Sequence, residues 1–268
     1  MPGHAMVMKT TCLVLGALLL AGCHTSPERL QGSPGGYRLD DPTVPPSPFA
    51  GARWKAILLA GDSSIPAFDN TTRDIAKLLE SRGVQVVRIF TSDRAKLRPA
   101  VELASHEELT ALPAKVRIAT GEGCLLYATS HGTIHGLHLA RDPKDTTLSP
   151  STLKQIVAST CGDAPTVVVV SACHSGTFIR ASTIGPAVII LTAASENRQS
   201  FGCRAERRYT YYDGCFLTEF ANATTWQDLH ARMVACIRTK EAGLRELASE
   251  PQAFFGSRMK DLALPVKR

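Results

Sequence analysis

From about residue 54 onward, short apolar runs alternate with stretches of helical period. The runs are Ala56–Ala60, Val84–Phe90, Cys124–Ala128, Thr166–Ala172 and Ala187–Ala193. The last two hold Val167-Val168-Val169-Val170 and Val188-Ile189-Ile190-Leu191, continuous and β-branched, the pattern of strands covered on both faces. Between the first two runs, Ile75, Leu78 and Leu79 share one helical face. Asp69 or Asn70 is placed to cap that helix, and Gly83 to end it just after Ser81. Ser149-Pro150 predicts a helix start, since proline is tolerated in a first turn, and the pattern continues to about Ser159. Trp226–Leu247 reads as one long helix, and Pro251–Gly256 as a short closing strand. This alternation predicts an α/β fold with a mostly parallel sheet and helices on both faces. Ligands of such sheets bind beyond the carboxyl ends of the strands. Those ends carry Gly61-Asp62-Ser63, Ser130-His131-Gly132, Ala172-Cys173-His174-Ser175-Gly176 and Thr192-Ala193-Ala194-Ser195-Glu196-Asn197.

The first fifty residues follow a different pattern. Lys9 precedes an apolar run from Cys12 to Leu20 that is too short to span a membrane, as in an export signal. The run ends in Leu20-Ala21-Gly22-Cys23, which resembles the lipobox of bacterial lipoproteins. The resemblance implies a signal peptide over 1–22, lipidation of Cys23 and attachment to a bacterial membrane; an ordinary secretory signal is the competing reading. His24 follows the cysteine, which by the sorting rule of enteric bacteria points to the outer membrane, facing the periplasm. Prolines 27, 34, 42, 45, 46 and 48, interleaved with Gly32, Ser33, Gly35 and Gly36, make 23–53 a tether unable to bury a core. The folded unit is expected over 54–268.

Composition narrows the partners. With 44% hydrophobic and 20% charged residues the chain is globular. The net charge of +6 is spread out rather than run together, and only 6% of residues are aromatic, so no nucleic-acid platform is expected. No cofactor is called for.

The chemistry gathers at two strand ends. His131-Gly132 and Cys173 each close a strong strand, and paired strands lie about 4.8 Å apart. If these two strands pair, an imidazole and a thiol face one cleft. The imidazole can activate the thiol as a nucleophile and later protonate a leaving amine. Gly132 and Gly176 allow close backbone approach, and the backbone N–H groups of Gly132 and Cys173 are placed to hold an oxyanion.

Tyr127-Ala-Thr-Ser-His131-Gly132 and Val-Val-Ser-Ala-Cys173-His-Ser-Gly176 resemble the paired His-Gly and Cys blocks of caspase-like cysteine peptidases. Leu191-Thr-Ala-Ala-Ser-Glu-Asn-Arg-Gln-Ser200-Phe201-Gly-Cys203 and then Thr210-Tyr211-Tyr212 are more similar still to the legumain (asparaginyl endopeptidase) family. The likeness runs from about Trp54 to Phe255. It implies a caspase-like three-layer sandwich and endopeptidase action on peptides or proteins, with Cys173 as nucleophile and His131 as general base and acid. Where legumains carry an acidic pocket residue two before the nucleophile, this chain has Ser171. Asp213 sits one position early against their Thr-Tyr-Asp spacing, and for the Asn that assists their His this chain offers only Asn70, a loose candidate. Preference for Asn at the cleaved bond therefore does not carry over. The pocket candidates are Asp69, Asn70, Arg73, Ser171, Ser200 and Asp213.

Three other readings compete. Gly61-Asp62-Ser63 resembles the nucleophile block of GDS-type esterases, which need a later Asp-x-x-His; Asp228-Leu-His230 is one residue short. His131, His135 and His138 beside Cys173-His174 suggest a zinc site, but Gly132 and Gly136 make a hairpin of that stretch. An inactive scaffold is the third. Among the remaining cysteines, Cys124 lies in a buried strand and is expected unpaired. Cys161, Cys203, Cys215 and Cys236 can form two bridges, and Cys203–Cys215 would brace the 204–213 loop.

Overall fold

Each central strand is apolar on both sides because helices cover both sides. The computed structural model describes residues 47–142, 146–179 and 185–266. The expected signal 1–22, the lipidation site Cys23 and the tether as far as residue 46 lie outside the described residues. The chain starts with Arg53–Ala60 (β1), Pro66–Ser81 (α1), Gln85–Thr91 (β2), Val101–Leu103 (β3), His106–Thr110 (α2) and Leu112–Lys115 (α3). It continues with Glu122–Thr129 (β4), the short strands Gly132–Thr133 (β5), Gly136–His138 (β6) and Thr147–Leu148 (β7), then Pro150–Cys161 (α4) and Thr166–Ser171 (β8). Val188–Thr192 (β9), Tyr211–Glu219 (α5), Trp226–Glu241 (α6) and Gln252–Phe255 (β10) complete it.

The main sheet runs β10-β9-β8-β4-β1-β2-β3, parallel except for β10. Alternation along β1 and β4 builds two cores. Ala56, Leu58, Leu125 and Tyr127 face α1, α5 and α6, packing with Ile75, Phe216 and Met233. Ile57, Leu59, Leu126 and Ala128 face α2, α3 and α4, packing with Leu109, Leu112 and Ile156. The three-layer α/β sandwich expected from the strand–helix rhythm is the one observed.

Element ends differ from the sequence pattern where proline and glycine act. α1 begins at Pro66, whose ring is preset for a first turn, rather than after Asp69 or Asn70. Asp69 instead accepts from Thr91 Oγ1 at 2.7 Å and Lys96 Nζ at 2.9 Å. α6 stops at Glu241 rather than Leu247, because the chain turns out at Ala242 and Gly243 takes φ +90°.

The cysteine pairing also differs. The bridges are Cys124–Cys161 and Cys215–Cys236, and Cys173 and Cys203 are free. Cys124 is not unpaired: β4 alternation turns it, with Leu126 and Ala128, toward the face that α4 covers, where Cys161 ends the helix. Cys203–Cys215 does not form, because Cys215 lies inside α5 against the neighbouring α6 and meets Cys236 there.

One polar node joins three elements. Asp213, in the first turn of α5 and fully buried, accepts from Tyr127 Oη at 2.7 Å, Thr129 Oγ1 at 2.9 Å and Thr71 Oγ1 at 3.0 Å. Burial pushes its carboxyl above the usual carboxylate range, and the hydroxyl bonds, Tyr127 foremost, pull it back. The buried Ser171 hydroxyl also faces it, without a hydrogen bond of good geometry.

Two outcomes are expected. Non-reducing peptide mapping should return Cys124–Cys161 and Cys215–Cys236 with Cys203 as a thiol, and replacing either bridge by a serine pair should cost about 3–4 kcal/mol by loop-closure entropy. Recovery of a Cys203–Cys215 peptide would contradict this pairing. Asp213→Ala strands three donors and should lose about 3–5 kcal/mol in urea unfolding, and the shape-conserving Asp213→Asn clearly less. Equal losses would mean that shape rather than hydrogen bonding sets the cost.

Candidate active site

The sheet sets the site by register. β4 and β8 pair in parallel with Thr129 opposite Ser171, so His131 and Cys173 each lie two residues beyond the last matched pair. The strands stay joined past that point, where the Ser130 amide donates to the Ser171 carbonyl at 3.2 Å. The loops then touch: a Cβ placed on Gly132 would stand 2.4 Å from the Cys173 carbonyl oxygen and 2.9 Å from the Ala172 Cβ. Only glycine permits that approach.

His131 is held from two sides. Its carbonyl accepts from the His138 amide at 2.9 Å across the β5–β6 hairpin, and its ring meets Phe68 edge-on with centroids 5.2 Å apart. Cys173 is half-buried. Its Sγ receives the Ser200 amide at 3.4 Å and lies 3.7 Å from Ser200 Oγ, so a thiolate there has two donors in reach. The chain turns sharply after the thiol: His174 adopts φ +58°, a left-handed conformation seldom taken by a residue with a side chain. The turn is fixed by the His174 amide on the Arg198 carbonyl at 2.8 Å and by His174 Nδ1 donating to the Glu196 carbonyl at 2.9 Å. A Cβ on Gly176 would come within 2.5 Å of the Glu196 amide, so the loop after β9 packs directly under the thiol turn.

Of the pocket candidates, the structure gathers Ser171, Ser200 and Asp213 around the β4 and β8 ends. Ser200 contacts the thiol, whereas Ser171 and Asp213 are buried below the strand ends. Asp69 is spent on Thr91 and Lys96. Asn70 Nδ2 donates to the Arg208 carbonyl at 3.3 Å, and Arg73 pairs with Asp74. Asp74 also accepts from Tyr209 Oη at 2.6 Å and Arg208 Nη2 at 2.9 Å, and these bonds, Arg73 foremost, hold its carboxyl well below the usual range. Asn70, Arg73 and Asp74 thus fasten the 203–210 segment to α1. Cys203 lies on that segment, where burial first and the nearby Cys173 second push its thiol up.

Phe68 and Thr71 were not singled out by the sequence. Both lie on the inward face of α1, at 1% and 0% exposure, and helical spacing back from Ile75 would have placed them there.

The competing arrangements do not assemble. Ser63 Oγ lies 3.2 Å from Thr91 Oγ1, whereas His230 packs on Phe255 of β10, at the opposite edge of the sheet, where burial pushes its imidazole down to about 4. Among the described residues no group of three or more His, Cys, Asp or Glu side chains gathers as metal ligands would.

Comparison with solved structures gives caspase-1 from Spodoptera frugiperda at a TM-score of 0.58, with 16% identity over 84% of this chain and 94% of that one, which shows a shared fold. A search of curated proteins finds no match. The profile described as the Peptidase C13 family matches residues 116–261, more than half of the chain and the stretch that carries both His131 and Cys173. The chain therefore belongs to the Peptidase C13 family, and it is a legumain-like, cysteine-type peptidase with a caspase-like fold, acting on a peptide or protein substrate.

Proposed function

We propose that the protein is an endopeptidase working through a Cys173/His131 dyad and held to a bacterial outer membrane, facing the periplasm, by lipid on Cys23. The contact of Gly132 with the Cys173 carbonyl carries the catalytic part, since it joins the two loops into one cleft. His131 takes the thiol proton, and the thiolate attacks the scissile carbonyl carbon. The carbonyl π electrons move onto oxygen, where the Gly132 and Cys173 amides stabilise the charge. The intermediate collapses with cleavage of the C–N bond, and the imidazolium protonates the departing amine. Water, deprotonated by His131, then cleaves the thioester and returns the thiol. Ser200 steadies the thiolate, and Phe68 fixes the imidazole ring. Ser171, Ser200 and Asp213, with Asp69, Asn70 and Arg73 toward the rim, are the candidates for shaping preference at the cleaved residue.

The anchoring part rests on the lipobox-like Leu20-Ala21-Gly22-Cys23 and the Pro/Gly-rich stretch behind it. Among the described residues no helix is long and apolar enough to cross a membrane.

A fluorogenic peptide library varied at the residue before the scissile bond tests the dyad. The wild type should turn over a subset, Cys173→Ala should lose at least about 10³-fold, and His131→Ala about 10²–10⁴-fold. Full turnover by Cys173→Ala would refute the assignment. Metabolic labelling with a tagged fatty acid should mark the wild type in the membrane fraction and leave Cys23→Ala unlabelled; a labelled Cys23→Ala, or an unlabelled wild type, would remove the anchor.

A further inference from the structure

Next to the dyad, on its histidine side, the strand ends enclose a second feature. The carboxyl ends of β1 and β2 and the chain after β6 surround a polar cavity of about 590 Å³, lined among others by Asp62, Ser63, Asp93, Arg94 and Arg141. Its connection to the site is direct. The His138 amide bonds the His131 carbonyl, and His138 Nε2 lies 3.9 Å from Asp62 Oδ2 in the cavity wall. The Ala140 amide donates to the Gly61 carbonyl at 2.9 Å, and a Cβ on Gly61 would overlap the His138 carbonyl.

The cavity's charges are not all engaged. Asp93 holds the Ala95 amide at 3.0 Å and Lys96 Nζ at 3.1 Å. Asp62 accepts the Ser64 amide at 2.7 Å. Arg94 and Arg141 are exposed, and among the described residues neither guanidinium makes a hydrogen bond or a close ion pair, although Arg141 is near enough to Asp93 to help hold its carboxyl low. The unsatisfied capacity at this cavity is therefore cationic, suited to a planar carboxylate.

Direction follows from the dyad reading, on which this inference rests. A general acid must reach the leaving nitrogen, so the departing half of the substrate lies over His131. The order β8, β4, β1, β2 carries Cys173, then His131, then the cavity. At about 4.8 Å per strand the cavity lies roughly 10–15 Å from the thiol. That distance corresponds to about two to four extended residues. We propose that Arg94 and Arg141 form a leaving-side subsite that selects substrates bearing a carboxylate two to four residues after the scissile bond.

Internally quenched peptides sharing one acyl half test this in the full-length protein at low salt. Their leaving halves would be neutral and amide-capped, Glu-bearing and amide-capped, or neutral with a free terminal carboxylate. In the wild type, kcat/KM for a carboxylate-bearing peptide should exceed the neutral one about 5–10-fold, the scale of two exposed ion pairs. In Arg94→Ala/Arg141→Ala that ratio should fall to near one, and Arg141→Glu should invert it. Whichever carboxylated peptide shows the preference tells whether a side chain or a chain end is read. A ratio of one in the wild type, or one unchanged in the double variant, overturns the subsite with catalysis intact. Binding of the labelled leaving halves to Cys173→Ala tests the subsite without turnover. There the carboxylated peptides should bind more tightly and lose that advantage when both arginines are replaced; equal binding overturns the subsite. A wild type silent toward every peptide would count against the dyad, while the binding comparison would still decide the subsite.

Discussion

A carboxyl group buried to zero exposure below the strand ends is the constraint on which the site's geometry depends. Removing Asp213 from water costs several kcal/mol unless its oxygens are fully partnered. Tyr127, Thr129 and Thr71 supply that partnering from β4 and α1, while α5 supplies Asp213 itself. Three elements are thereby fixed in register at the point where β4 gives way to Ser130 and His131. Thr129 is the last residue of β4 and pairs with Ser171. A shift of one residue would exchange the two faces of the strand and break the Tyr127 and Thr129 contacts to Asp213. The loops carrying the imidazole and the thiol inherit their alignment from that node.

Local and tertiary constraints divide what the sequence makes legible from what it does not. Buried strands are visible because both faces need apolar residues, so Val167–Val170 and Val188–Leu191 could only be central strands. The pairing of β4 with β8 could be anticipated from their strength, and with it the adjacency of the loops that carry His131 and Cys173. Helix ends were harder. Pro66 and Gly243 set boundaries through local φ preference, and they compete with capping and periodic signals that point three to six residues away. The cysteines were harder again. Pairing depends on which face of β4 looks at α4 and on which helix α5 packs against, and both are tertiary facts without a local signature. Cys203 and Cys215 are near in sequence but belong to different neighbourhoods.

The pocket candidates show why residue type alone misleads. Asp69, Arg73 and Asp213 are all charged, and all come from segments flanking the His131 and Cys173 blocks. Asp69 bridges α1 to the turn after β2, Arg73 helps Asp74 pin the 203–210 segment, and Asp213 lies under the floor. Three charges therefore serve positioning. Ser200, the least conspicuous of the set, is the one that touches the thiol, through a backbone amide that any residue would supply. Its placement comes from the loop after β9, held by Ser175 Oγ, which accepts the Ala194 amide at 3.1 Å, and by the Gly176 contact with Glu196.

These assignments make the region around the thiol asymmetric. Beneath Cys173 and Ser171 the Asp213 carboxyl is saturated by hydroxyls and fully enclosed, so it offers little net field to an incoming side chain without rearrangement. On the histidine side, two exposed guanidinium groups make no hydrogen bond or close ion pair among the described residues. A long exposed ion pair contributes little to affinity, but it acts on encounter and orientation before the buried groups engage. A peptidase built this way would take only weak charge instruction from the residue at the cleaved bond. Its electrostatic discrimination would come from the half of the substrate that departs, and would fade as salt screens the two arginines.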